Sequence, residues 1–473
     1  MSAFRRTRDK VRLKPDTTYY THMKTGVVCQ AEADGELGVD WAPFGKELTV
    51  RTTRAAILLT IVIPLFGSIA VEAQTPAAVS IHVRETAGIR RTRYPVNARV
   101  PFPRGVLKDA AQARLTLDNG NIEAQIAAET KHADGSIQWL AVDFNASLGP
   151  IEEQTYRLEY GDGVNAPAAG RGVAVGQNAN TIQIGRIRLN KSDGPLLGSL
   201  NYRKEILALG MNGFAVTDSG GTTLDLSKAE SITTEIVKPG PLYAVVRYSG
   251  RLAIDGRSST PFTITVEMPN SKAWVKYTAR VEDPTRSLRQ ISFHTPFAFS
   301  AFPWLWDFGT GSWTYGSIRS ATDSVILTQA VKSGGTSRWE IRTGPKGQEQ
   351  PYEVAAGARA RIAEGWGHFQ DSSEVVAFGF DAFGRQPGTY TITLDGQGQN
   401  FYRFAPEQPA TWHQIAIYQH YVGSPAQIGA VTSPASMLNP LIFTCDREQY
   451  VKAGVPAPAS TRVRHENAPV RLR

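Results

Sequence analysis

Cysteine is almost missing from this chain: its 473 residues hold only Cys29 and Cys445. Cys29 lies ahead of an apparent cleavage site, so no internal disulfide framework and no dithiol redox chemistry are expected. No CxxC pair and no His/Cys cluster supports a structural zinc site. There is no GxSxG elbow, no P-loop and no GxGxxG fingerprint, so neither a nucleophile-elbow hydrolase nor a nucleotide partner is indicated. Strong charge is missing as well. The formal net charge is +8, and about +6 of it falls after residue 73. The basic residues are scattered, without interleaved aromatics, and nucleic acid is therefore not an expected partner. A mildly positive surface would suit an acidic polysaccharide, and it is equally an ordinary surface charge. Helical periodicity is sparse, with one candidate segment near Ala355–Glu364, and no repeat of fixed length is present.

What the sequence does have is glycine (43), proline (28) and many short alternating runs, the composition of strands and turns. Residues 1–49 mix charge and turn residues without periodicity and read as an over-extended start. Residues 50–73 have the layout of a secretory signal peptide: Arg51 and Arg54 first, an apolar run from Ala55 to Val71, then Val71 and Ala73 as small residues before Gln74. Cleavage is expected after Ala73, which implies a secreted or periplasmic protein that meets the membrane only through its export signal. An uncleaved anchor is the alternative, but the run is short for a span and contains Pro64 and Gly67.

From Tyr94 to Phe144 the chain spells a β-meander. Ala113, Leu115 and Leu117 alternate with Arg114 and Thr116. Asn119-Gly120 supplies a hairpin signal, and Asp134-Gly135 marks a second turn before a strand around Trp139. The Pro101-Phe102-Pro103-Arg104-Gly105 lead and the run His132-Ala133-Asp134-Gly135-Ser136-Ile137-Gln138-Trp139-Leu140 resemble the N-terminal barrel module of the exo-acting rhamnogalacturonan lyases, polysaccharide lyase family 26. That resemblance implies a small barrel, here residues 78–163, followed by a central β-sandwich, here residues 173–450. It also implies a role with acidic pectin-type polysaccharide. The family's large toroid of helices has no counterpart in this sequence, and residues 451–473 read as a flexible tail. No catalytic motif of the family can be matched residue by residue.

The central region is almost all strands. Phe262, Ile264, Val266 and Met268 alternate with Thr263, Thr265 and Glu267, and Val275, Tyr277, Ala279 and Val281 alternate with Lys276, Thr278 and Arg280. Both are strands with one buried face. A phase slip at Gly185-Arg186 suggests a bulge. The expected fold class is all-β: a small barrel, then a large antiparallel sandwich of two sheets.

Three segments could carry chemistry. Residues 302–316 hold Trp304, Trp306, Trp313 and Tyr315, and their glycines suggest a loop. Tyr and Trp faces stack on sugar rings, so these residues with Trp366 form the candidate carbohydrate-binding set; the alternative is a lid packed on the core. The second segment, 365–371, offers His368 near Asp371 as an acid or base, or as a histidine bonded to a loop carbonyl. In the third, Tyr418 and His420 share one strand face while His413 and Tyr421 share the other, giving either a site or a polar sheet surface. His132 and Asp134 read as turn residues and His294 as structural. Eliminating across a uronic acid needs a group that neutralises the carboxylate, a base for the C5 proton and an acid for the leaving oxygen. Arg319, His368, His420 and Tyr418 are the candidate catalytic residues. No cofactor is indicated. Ca²⁺ would suit this chemistry, but no oxygen-ligand loop of calcium spacing is visible. Asp307, Glu364, Asp371 and Asp381 leave a paired-carboxylate glycosidase open. The sequence thus supports a lyase-like enzyme and, as alternatives, a non-catalytic carbohydrate-binding module or a structural protein of the cell envelope.

Overall fold

The structure, a computed structural model, describes residues 76–167, 170, 172–191, 194–201, 204–254, 258–311, 313–356, 362–423 and 434–458. The over-extended start, the export signal and its cleavage point lie outside these residues; of the tail expected over 451–473, residues 451–458 are described, the first two closing the helix Arg447–Lys452, and the rest lies outside. Every strand pairing is antiparallel, as the alternating sequences require.

The N-terminal region is built as two sheets around one apolar core. The first sheet orders Ile442–Cys445, Ala77–Arg84, Glu153–Tyr160, Ala113–Leu117 and Gly120–Ile122; the second orders Arg91–Pro101, Ile137–Leu148 and Ala124–Lys131. The hairpin after Leu117 turns one residue earlier than the Asn-Gly signal implies. Asp118 and Asn119 take the positive φ angles (49° and 64°), and Leu117 pairs with Gly120. Both residues tolerate that region because their short polar side chains bond locally.

The outermost strand of the first sheet comes from the far end of the chain, with Ile81 opposite Cys445. Met437, Leu441, Cys445 and Tyr450 are buried in the same core. A buried ion pair holds this return. Arg91 Nη2 donates to Glu85 Oε1 (2.9 Å), with both side chains essentially unexposed. The same guanidinium donates to the carbonyls of Ser436 (3.2 Å) and Asn439 (2.6 Å). Glu85 in turn accepts from the backbone N–H groups of Ala87, Gly88 and Ile151. Full hydrogen bonding of this kind is what makes a desolvated charge pair tolerable.

The central region is a sandwich of two large sheets. Its eight-stranded sheet orders Thr223–Asp225, Gly213–Asp218, Leu288–His294, Asn400–Pro406, Gly388–Asp395, Asp323–Val331, Ser337–Pro345 and Gln350–Ala356. Its nine-stranded sheet orders Ala229–Pro239, Tyr243–Ile254, Ser258–Pro269, Trp274–Glu282, Trp412–Gly423, Glu374–Phe380, Trp366–Gln370, Trp304–Gly309 and Trp313–Ile318. One large core, including Tyr277, Phe293, Phe378 and Tyr402, fills the space between them. A smaller four-stranded sheet over 175–200 packs onto that core through Ile182, Ile184, Ile187 and Leu189.

Three local expectations are corrected. The slip at Gly185-Arg186 is a tight hairpin, not a bulge: Ile184 pairs with Ile187, and Gly185 takes a positive φ (54°). The aromatic run 302–316 is mostly strand, because Trp304–Gly309 pairs in register with Trp313–Ile318. The helical candidate near Ala355–Glu364 begins inside the strand Gln350–Ala356 and is not helical over 362–364; residues 357–361 are not described.

Candidate functional site

The strands of the nine-stranded sheet alternate between two faces, and the candidate residues sort by that alternation. Trp304, Trp306 and Phe308 point inward with Phe369, Phe378, Ile417 and Tyr277. On the other face the register aligns Asp307, His368, Ala377, His420 and Trp274 on five successive strands; His368 and Ala377 are buried, and Trp274 belongs to the N-terminal core, where it packs edge-on against Tyr94 at 5.4 Å. Strands lie about 4.8 Å apart, so this row spans roughly 19 Å. Two residues along the strands, Trp366, Gly379, Tyr418 and Lys276 form a parallel row.

His368 is held by Asp307. A single carboxylate oxygen, Asp307 Oδ1, accepts from the backbone N–H (2.9 Å) and from Nδ1 (2.8 Å) of His368. The same carboxylate oxygen thus fixes the orientation of the imidazole through both its backbone and its ring. His368 itself is buried.

His420 behaves differently. Burial first, then the charges of Lys272 and His368, push its pKa down to about 4. It is therefore neutral near pH 7, and its buried Nδ1 has no hydrogen-bond partner. Tyr418 has its phenol pKa raised, chiefly by burial and then by Asp381 and Glu267. It stays protonated and can donate a proton or a hydrogen bond, but it is a poor base. The Lys276 ammonium sits 5.1 Å from the Tyr418 ring centre, and Trp274 packs edge-on at 6.5 Å.

Trp366 supplies an aromatic platform. Its ring lies over Gly309, where a Cβ would approach within 2.2 Å, and its indole N–H donates to Glu364. The ring centre is 6.2 Å from that of His368. Covering a glycine in this way is a packing role in its own right. Tyr315 extends the row at the sheet edge opposite Asp307 and is 71% exposed.

Other candidates are not brought to this face. Trp304 (5% exposed) and Trp306 (2%) are core residues, because strand alternation turns them inward; they cannot stack on a sugar. Trp304 donates its indole N–H to the Ser300 carbonyl at 2.7 Å. Trp313 opens an edge strand, and its side chain lies outside the described residues. Arg319 follows that strand, exposed, with Nε on Ser317 Oγ at 3.4 Å, four residues past Tyr315 and away from the His368 row. His413 faces inward and bonds the buried Asp283 at 3.3 Å. Asp371, expected as the partner of His368, instead caps a turn. Burial raises its pKa, but bonds from Ser300, Ser373 and Glu374 outweigh this and hold it at about 2. Asp307, Asp371 and Glu364 are thus each engaged separately and not as a carboxylate pair.

The residues that sequence reasoning passed over are Lys276, Trp274 and the pairing of Asp307 with His368. Their alternation within each strand is visible in the sequence, but their alignment across strands is a matter of register. Among the described residues, no three His, Cys, Asp or Glu side chains gather into a metal site, and no helix is long and apolar enough to cross a membrane.

No protein-family model and no curated protein matches the chain. Among solved structures, an α-mannosidase from Enterococcus faecalis V583 aligns over 78% of this chain and 46% of its own, at 10% identity and a TM-score of 0.49. A glycosyl hydrolase family 38 protein from Enterococcus faecalis aligns over 78% and 47%, at 12% identity and a TM-score of 0.47. The α-N-acetylgalactosaminidase NagBb from Bifidobacterium bifidum aligns over 55% and 37%, at 11% identity and a TM-score of 0.37. The chain spans less than half the length of each. Likenesses this distant carry nothing about its activity.

Proposed function

We propose that this is a carbohydrate-active protein that works outside the cytoplasm on acidic pectin-type polysaccharide, through the outer face of its nine-stranded sheet. The observation that carries the reading is the Asp307–His368 pair with Trp366 beside it and Tyr315 at the exposed edge, near Tyr418 and Lys276 on the same face. The rhamnogalacturonan-lyase-like motifs of residues 101–140 and the export-signal layout support the polymer class and the location.

The residue types suit β-elimination. His368, oriented by Asp307, is the base that takes the C5 proton. The electron pair of the broken C5–H bond forms the C4=C5 double bond while the C4–O bond breaks and its electrons leave with the oxygen. The leaving oxygen takes a proton from Tyr418, whose burial keeps it protonated, and the Lys276 ammonium lies where it can offset the charge of the uronate carboxylate. The test is turnover of rhamnogalacturonan and other pectic polymers, with and without Ca²⁺, followed by the ultraviolet absorbance of the unsaturated product. Absorbance that disappears in His368→Ala is expected. No absorbance with any polymer overturns the elimination.

A second reading is a binding module without turnover. The observation favouring it is that burial shifts both Tyr418 and His420 away from exchanging protons near neutrality. It predicts retardation in polymer-containing gels that survives His368→Ala and is lost in Trp366→Ala.

A further inference from the structure

The two large sheets of the sandwich end side by side. Trp313–Ile318 is the last strand of the nine-stranded sheet, and Gln350–Ala356 is the last of the eight-stranded sheet. Side chains tie the two edges together. The Tyr352 hydroxyl donates to the Tyr315 carbonyl at 2.9 Å, and the Thr314 hydroxyl donates to Glu353 Oε2 at 2.7 Å. The Tyr352 ring also stands edge-on to Trp306, with ring centres 5.4 Å apart.

Tyr352 reaches this seam because its strand is bulged there. Glu353 pairs with Ile341 and Pro351 with Arg342, so Tyr352 is an extra residue without a partner across the ladder. Bulges at sheet edges re-aim a side chain, and they recur beside binding sites. Although its ring is fixed at the hydroxyl and at one edge, Tyr352 is 52% exposed.

Exposed apolar surface gathers along the same seam. Of the eleven large apolar side chains exposed among the described residues, Leu305, Tyr315, Tyr352 and Val354 are neighbours here. Single exposed apolar residues are ordinary, whereas a contiguous set marks an interaction surface. This set forms a narrow strip. Tyr315 is flanked by Asp307 on one sheet. Val354 is flanked on the other by Glu340, whose carboxylate accepts from Arg338 at 3.2 Å and from Arg342 at 3.0 Å. A strip bounded by ionised groups does not offer the roughly 800 Å² per partner of a stable protein interface. It does suit a chain of sugars. Tyrosine rings and aliphatic groups take the C–H faces of pyranoses, while flanking carboxylates and guanidinium groups bond their hydroxyls. The strip also continues the face that carries the Asp307–His368 pair, since Tyr315 stands opposite Asp307.

We infer that this seam is a second subsite for a glycan chain, with Tyr352 and Tyr315 as platforms for sugar rings lying beyond the His368 site. The inference rests on the carbohydrate-active reading, but it requires neither a uronic acid nor an elimination. It carries the chain over the edge of one sheet and onto the other.

Retardation of the full chain in gels containing rhamnogalacturonan or a neutral galactan tests it; thermal melts verify that each variant is folded. Tyr352→Ala should weaken retention at least fivefold. Tyr352→Phe keeps the ring and loses only the bond to Tyr315, so its retention should stay within twofold. Trp412→Ala removes an exposed tryptophan elsewhere on the nine-stranded sheet and should change nothing. Undiminished retention of Tyr352→Ala, or no retention of the unaltered chain in either gel, overturns the subsite. Sedimentation tests the rival occupant: a dimer that Tyr352→Ala makes monomeric, with retention unchanged, assigns the seam to a second copy of the chain and overturns the glycan. Tyr352-dependent retention by galactan alone keeps the subsite and removes the acidic polymer. Tyr352-dependent retention without an unsaturated product means that the elimination fails and the subsite stands. Product formed equally well by the unaltered chain and by Tyr352→Ala, with equal retention, means the reverse.

Discussion

The two faces of the nine-stranded sheet use the same device for different ends. On the inner face the Trp306 ring lies across Gly316, and on the outer face the Trp366 ring lies across Gly309; in each case a Cβ would meet the ring at 2.2–2.3 Å. The inner ring is sealed in the core against Phe308 and Tyr352, and its indole N–H has no partner. The outer ring is half-buried, gives its N–H to Glu364, and stands beside His368. A tryptophan over a cross-strand glycine is therefore not in itself a ligand surface. What separates the two is the company each ring keeps: Phe308 and Tyr352 beside Trp306, Glu364 and His368 beside Trp366.

Substitutions that act on one face alone sharpen this contrast. Trp306→Ala should cost about 3–5 kcal/mol of stability, as large-to-small changes in packed cores do. A denaturant midpoint that hardly moves would mean that the inner ring is not packed as described. On the outer face, acidification should bring out His420. Its folded pKa of about 4 lies below the ordinary 6.5, so the unfolded chain takes up the proton first. Stability is complete above pH 6.5 and is lost as pH falls toward 4, by on the order of 2–3 kcal/mol for this residue. His294 on the other sheet is shifted to about the same value, chiefly by burial, so His420→Gln should remove only part of the slope. Melts between pH 4 and 7 measure it.

His368→Ala should lower turnover by about 100-fold or more while leaving the melting temperature nearly unchanged. A parallel loss of both would assign the Asp307–His368 pair to stability. Gly309→Ala and Gly316→Ala should each cost about 1–3 kcal/mol by displacing a ring, but only Gly309→Ala should also weaken polymer retention in gels. Tyr315→Ala, at an exposed edge, should change stability by less than about 0.5 kcal/mol. Reduced retention without a stability change would extend the outer surface to that edge.

Much of the fold could be read from alternation. The strands holding Phe262–Met268 and Val275–Val281 lie where the period of two puts them, with their apolar residues inward. Tyr418 and His420 do share one face, and His413 and Tyr421 the other. The aromatic run 302–316 could not be resolved in the same way. Its glycines imitate a loop, and only the partner strand explains them, since Gly316 makes room for Trp306 and Gly309 for Trp366. Nor could the sequence pair Asp307 with His368, 61 positions apart, because register depends on which strands become neighbours. Asp371 was the nearer partner in sequence, but its own turn engages it.

The last strand of the N-terminal sheet has a consequence for how the chain is made. His82 meets Asp446 at 2.8 Å across 364 positions, and Arg91 meets the carbonyl of Asn439. A chain emerging from a ribosome therefore exposes this N-terminal core, with the Arg91–Glu85 pair only partly enclosed, until residues 436–446 have been synthesised. Closing so long a loop costs only slightly more entropy than closing a short one, so the burden falls on timing more than on equilibrium. The sandwich can bury its own core first, and the earlier-made core of the N-terminal sheets is sealed after it. During that interval the edge of Ala77–Arg84 is an unpaired template for any passing strand, and prompt arrival of Ile442–Cys445 is what protects the newborn chain from sticking to its neighbours.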